Sequence, residues 1–151
     1  IEPNPERLES LLLESDFKNL NIVKKSVQVL SPDIFRGLSK GDLLFIDSSH
    51  VYKCGSDLQY IFNQVIPNLN LGCFVHFHDI FFPFEYPQSW IDEGRYWNEN
   101  YFLRAFLTNN DSWRICFFND FVHKRFKDFI SQKMNLCINN TGGSFYMSRE
   151  K

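Results

Sequence analysis

The chain has 151 residues, of which 44% are hydrophobic and 23% charged, and a formal net charge of −2. That length fits one domain with a real core, and the composition excludes a disordered chain. The slight acidity offers no basic face for nucleic acid, no apolar run approaches the roughly 18 residues of a membrane span, and no signal peptide is visible, so no nucleic acid or membrane partner is expected and a cytoplasmic setting is.

Asn4-Pro5-Glu6 reads as a helix start, with Asn as N-cap, Pro at the first helical position and an acid in the first turn. Leu8, Leu11 and Leu12 follow at i, i+3 and i+4, which predicts a short amphipathic helix to about Glu14. Asn21 to Val29 is β-branched around a polar middle and predicts a strand. Ser31-Pro32-Asp33 repeats the cap pattern and places Ile34, Phe35 and Leu38 on one helical face.

Asp42 to Ile46 is apolar without alternation, as a parallel strand covered on both faces requires. The strongest helical signal starts at Ser56, with Leu58, Ile61, Phe62, Val65, Ile66 and Leu69 on one stripe. Cys73 to Phe77 predicts the next strand, and Phe81 to Tyr96 a long loop rich in Pro and aromatic residues, of the kind that closes over sites. A helix over Asn98 to Leu107, a strand over Trp113 to Phe118, a helix over Phe121 to Met134 with Val122, Phe126, Phe129 and Ile130 inside, and a last strand over Ser144 to Ser148 complete the chain. The alternation implies one α/β domain with a largely parallel sheet.

The four cysteines form no CxxC pair and read as mostly buried free thiols. Ligands of parallel sheets sit beyond the carboxyl ends of the strands, a rule that singles out Glu2, the Asp47–His50 segment and His78–Asp79. If their strands are neighbours, Asp47 and Asp79 share one edge and could hold a divalent cation through oxygen ligands; otherwise each caps a helix or binds backbone. His50 is placed for general-base work or, equally, for stabilising its loop. His76 is expected as a packed structural histidine and His78 nearer the site edge, and His123, beside Lys124 and Arg125, is expected in solvent.

The segments IEPNP, FIDSSHVYKCGSDL, LGCFVHFHDIFFPFEYP and GGSFYMSR together resemble the class I S-adenosylmethionine-dependent methyltransferases. The subgroup they look most like is the sugar and antibiotic O-methyltransferases, through an ID-x-x-H-x-Y strand end. The resemblance runs in order over nearly the whole chain and implies a Rossmann-like methyltransferase sheet, mostly parallel with an antiparallel C-terminal strand. By position it implies that Glu2 holds the cofactor ribose, that Ser26 contacts adenine and that Asp47 lies at the methyl-transfer centre with His50 as base. In the family's metal-dependent members, acids placed as Asp47 and Asp79 bind Mg²⁺. The acceptor implied is a small-molecule or sugar hydroxyl.

The family's glycine-rich loop would fall before Ile1, where the chain opens without Met. A longer polypeptide is therefore expected, and these 151 residues alone are expected to bind the cofactor weakly. Two other readings stand beside methyl transfer: a non-catalytic interaction module of the same fold, and a metal-dependent hydrolase using Asp47, His50 and Asp79.

Overall fold

The computed structural model describes every residue, Ile1–Lys151, and is α/β. Strands form at four apolar runs: β1 (Leu43–Ile46), β2 (Phe74–Phe77), β3 (Trp113–Phe118) and β4 (Phe145–Arg149). They build one sheet in the order β1-β2-β4-β3. β1 and β2 pair in parallel, whereas β4 is antiparallel to both of its neighbours. Three strands thus share a direction, yet only one pairing is parallel. The largely parallel sheet expected from the alternation is corrected to a mixed one, because the last strand runs against the others and inserts between β2 and β3.

The helices are α1 (Glu6–Leu11), α2 (Asp57–Tyr60), α3 (Gln88–Asp92), α4 (Glu99–Leu107), α5 (Asn119–Arg125) and α6 (Lys127–Lys133). None is long and apolar enough to cross a membrane. Ser56 caps α2 by accepting from Gln59 N, and the helix runs on as a π-helical turn (Ile61–Val65) and a 3-10 turn (Ile66–Asn68). Pro67 has no N–H for the i→i−4 ladder and its ring crowds the preceding turn, so the helix first widens and then tightens. All six apolar residues of the predicted stripe, Leu58 to Leu69, are buried. They pack with Ile46, Val75, Phe77, Phe145 and Met147 of the sheet and with Leu103 of α4 as the core.

Elsewhere the structure departs from the expectations. No strand forms over Asn21–Val29; Val23 O accepts from Glu2 N at 3.0 Å, and Val27–Val29 is a 3-10 turn. One isolated bond gives no ladder, so Glu2 does not end a strand either. Pro5, not Asn4, occupies the cap position of α1, and that helix buries none of its residues. Pro32–Gly37 is a 3-10 helix in which Phe35 is buried and Ile34 exposed. Three residues per turn align Phe35 with Leu38 and turn Ile34 outward.

The long helix predicted over Phe121 to Met134 breaks at Phe126, whose φ of −124° leaves the helical region. Across this break Ile130 is buried while Phe126 and Phe129 are exposed, and His123, expected in solvent, is buried instead. Of the cysteines only Cys73 is buried, while Cys54 and Cys116 are exposed.

Arg149 ties β4 to the end of the α2 segment. Its Nη1 donates to Pro67 O at 2.6 Å and to Leu69 O at 2.7 Å, carbonyls that the helix end leaves without partners. Hydrogen bonds from a charged donor to such carbonyls are worth roughly 1.5–3 kcal/mol. Arg149→Met should therefore lower the unfolding free energy by about that amount, measured by urea denaturation with an unchanged m-value.

Candidate functional site

Parallel pairing of β1 with β2 brings Ile46 beside Phe77, so the residues that follow both strands emerge at one edge of the sheet. There Asp47, His50, His78 and Asp79 converge. His50 Nε2 lies 3.6 Å from Asp47 Oδ1 and 4.0 Å from Asp79 Oδ2. His78 Nδ1 lies 3.7 Å from Asp47 Oδ1 and 3.3 Å from Asp79 Oδ1, and makes no hydrogen bond although the atom is buried. The two carboxylates and two imidazoles form a ridge.

The backbone at this ridge is unusual. His50 and Asp79 both have φ of 58°, the left-handed region that residues with a Cβ rarely enter. At His50 this conformation turns the carbonyl onto the start of α4, where it accepts from Asn98 N at 3.0 Å and Glu99 N at 3.3 Å. Those N–H groups belong to the unsatisfied first turn of the helix, so the contact compensates the strain. Asn98 completes the clamp: its Oδ1 accepts from Tyr52 N at 2.6 Å and its Nδ2 donates to Tyr52 O at 3.1 Å. Asp57 reaches back from α2 to accept from Ser49 N and holds the middle of the loop.

Glu99, which opens α4, is 0% exposed, and no feature of WNENYF marks it as more than an ordinary first-turn acid. Its Oε2 lies 2.7 Å from His50 Nδ1 and 3.2 Å from Ser48 Oγ, while Oε1 has no partner. The Trp97 indole stacks on the other side of the imidazole, with centroids 4.0 Å apart. His50 is thus held by a carboxylate at Nδ1 and a ring on its face, with Nε2 directed among the acids of the ridge.

Burial alone would lower the His50 pKa, but the Glu99 hydrogen bond and the charges of Glu99, Asp79 and Asp47 raise it above the ordinary imidazole range. Burial raises Glu99 above the carboxylate range, opposed by His50 and Ser48. The upward shift of His50 prevails over its burial because three carboxylates face one ring. A raised His50 value stabilises the fold fully below the unfolded imidazole pKa, and that contribution fades as pH rises through the folded one.

The other site residues fall where the ridge meets a cleft of about 810 Å³. Glu2, Ser26 and Asp47 line it together with Ser48 and Lys53, over an apolar floor that includes Leu44, Ile46 and Val65. Glu2 Oε1 already accepts from Asn4 N at 2.8 Å. His50 is not part of that lining, nor are His78 and Asp79, which instead border a second recess of about 560 Å³.

The loop from Phe81 to Tyr96 is anchored rather than free: Tyr86 is buried, Phe82 N donates to Asp120 Oδ2 at 2.8 Å, and Phe81 N donates to Asn100 Oδ1 at 3.1 Å. His76 stacks on Tyr146 and tilts against Phe45, a ring that His78 also meets, so the two histidines lie on one sheet face, as residues two apart on a strand do.

No three His, Cys, Asp or Glu side chains form a metal-ligand group. Mg²⁺ demands a near-octahedral oxygen set, and around Asp47 and Asp79 the nearest side chains are two imidazoles. The donors present do not fit that ion.

Compared with known proteins, the chain matches no family model, no curated protein and no solved structure.

The His50 environment makes a direct test available. An NMR titration should place the imidazole above the ordinary range of about 6.5, and Glu99→Gln should bring it down toward that value. A His50 value unchanged by Glu99→Gln would show that the buried acid does not govern it.

Proposed function

We propose that this protein transfers a methyl group from S-adenosylmethionine to a hydroxyl of a small molecule, with His50 as general base. The observation that carries the reading is the ridge between two recesses, in which a buried carboxylate aims an imidazole at the carboxyl ends of adjacent parallel strands. The antiparallel last strand also agrees with the sheet closure that the methyltransferase resemblance implies.

The large cleft suits the cofactor chemically. Its volume lies within the range of small-molecule sites, and the carboxylates of Glu2, Asp47 and Asp57 on its lining favour a cationic ligand. Glu2 would accept from ribose hydroxyls and Ser26 would lie against the base, with Asp47 toward the reacting end. When bound there, S-adenosylmethionine supplies an electrophilic methyl carbon on a sulfonium.

The residues of the chain do the rest. Glu99 accepts from His50 Nδ1–H and so leaves Nε2 as the acceptor for the substrate proton. His50 Nε2 would take the hydroxyl proton as the substrate oxygen bonds the methyl carbon, and the carbon–sulfur electron pair would leave on sulfur. The imidazolium that results is stabilised by Glu99, Asp79 and Asp47. Holding the two reactants in line across the ridge supplies the proximity contribution. No step uses a metal ion.

Only neutral His50 can take the proton, so the rate should rise with pH through a value above the ordinary imidazole range. Transfer of labelled methyl from S-adenosylmethionine should show that rise and fall roughly 10²–10⁴-fold in His50→Ala. Asp79→Asn should lower the rate less. Turnover in both variants equal to wild type would remove the proposed site, and absence of transfer with S-adenosylmethionine bound would favour a non-catalytic module.

A further inference from the structure

The helix break at Phe126 turns apolar side chains outward. Phe121, Phe126 and Phe129 are exposed around it, and beyond α6 so are Met134 and Leu136, the last at 78%. A phenylalanine ring covers about 150–250 Å² when buried, so three rings left about half in water present roughly 300 Å² of apolar area before Met134 and Leu136 are added. Phe121 and Phe126 meet at 6.3 Å, and the 3-10 turn Asn135–Asn139, which carries Leu136, packs on α6. These side chains therefore form a patch, not a scatter of single residues.

Charge is concentrated in the same place. From Lys124 to Lys133 stand four cationic side chains, Lys124, Arg125, Lys127 and Lys133, and one carboxylate, Asp128, in a chain whose net charge is −2. Lys124 is committed within the fold: its Nζ lies 2.7 Å from Asp120 Oδ2 and donates to Phe82 O at 2.7 Å. Arg125, Lys127 and Lys133 are exposed and make no ion pair. The net charge of the whole chain averages this segment away. Lack of a membrane-crossing helix, in turn, says nothing against short helices that lie on a surface.

Both features together decide what covers the patch. A second copy related by a twofold axis would set Arg125, Lys127 and Lys133 against themselves, and like charges across an interface repel. A nucleic acid would pair with the cations but leave Met134 and Leu136, which offer no ring for base stacking, in water. None of the five apolar residues lines either recess, so they stand out as knobs and do not frame a groove for a protein side chain. The boundary of an anionic bilayer meets both demands. Its headgroups supply anionic partners for the cations, and its acyl chains accept apolar knobs of any shape. Lys and Arg stems can lie along apolar surface while their charged ends reach such headgroups.

We propose that the α5–α6 segment docks this protein on an anionic membrane surface, with Phe126, Phe129, Met134 and Leu136 in the headgroup boundary and Arg125, Lys127 and Lys133 on the lipid anions. The chain lies on the bilayer and does not span it. This docking is independent of the methyl-transfer reading. The break serves it directly, because a continuous helix with Phe126 and Phe129 turned to the core would have little to insert.

The test is co-sedimentation of the 151-residue chain with vesicles of phosphatidylcholine alone and of phosphatidylcholine mixed with phosphatidylserine. The mixed vesicles should carry the protein down, the pure ones much less, and added salt should release it. Phe126→Ser with Phe129→Ser, and separately Lys127→Gln with Lys133→Gln, should each weaken partitioning roughly tenfold or more. Asp128→Asn should strengthen it. These positions are exposed, so the variants keep the fold, which circular dichroism checks. Leu11→Ser with Leu13→Ser removes two equally exposed apolar residues at the end of α1 and should change nothing.

No binding to the mixed vesicles, equal binding to both kinds, or indifference to both pairs of substitutions would overturn the proposal. So would an equal loss in the Leu11 and Leu13 variant, tighter binding to a single-stranded oligonucleotide than to vesicles, or a stable dimer that Phe129→Ser dissolves.

Discussion

Glu99 is the constraint around which the rest is arranged. A carboxyl group with no exposure must find hydrogen-bond partners, and in this fold they are the His50 imidazole and the Ser48 hydroxyl. Those partners lie in the loop after β1, while Glu99 begins α4, which is 49 positions further along the chain from His50. Satisfying one buried oxygen therefore docks a helix onto a strand end. The same docking uses main-chain groups, since the His50 carbonyl receives the first N–H groups of α4 and Asn98 grips Tyr52. Removing the acid would leave the imidazole without its fixed tautomer and the helix without half of its anchor.

Placing the site in this way separates two tasks. The α2 segment and the inner sheet face supply the apolar mass that holds β1 and β2 in register. The turns after those strands are then free to adopt left-handed backbone at His50 and Asp79, conformations that a strand or helix interior would not tolerate. The ridge marks where the two strand ends release their side chains, and the recesses on its flanks follow from the sheet ending there. Strain at the turns is offset by packing several residues away.

Much of this was legible in the sequence wherever local pattern decided the outcome. The α2 stripe, β1 and β2 follow from spacing alone, and the neighbouring strand ends bring Asp47 and Asp79 together as expected. Residues whose role depends on a distant partner left no signal. Glu99 looks like any first-turn acid until His50 is set against it, and Trp97 like one more aromatic of the loop until it stacks on the imidazole. The Asn21–Val29 segment has strand composition but makes only one backbone hydrogen bond to another segment, from Glu2 N to Val23 O, and so has no ladder to join. His123 is buried because the helix that carries it stops at Phe126 and the next one starts on a new axis, a break that periodicity did not show.

The stack between His50 and Trp97 gives the protein an optical property. An imidazolium on an indole face is a close cation–aromatic contact, and proton uptake by the imidazole changes the electronic surroundings of the excited indole. Trp90 lies next to Trp97, whereas Trp113 sits in the core on β3. Tryptophan emission from this chain is therefore weighted toward the ridge, and its intensity carries a record of the protonation state of a single histidine without any added label.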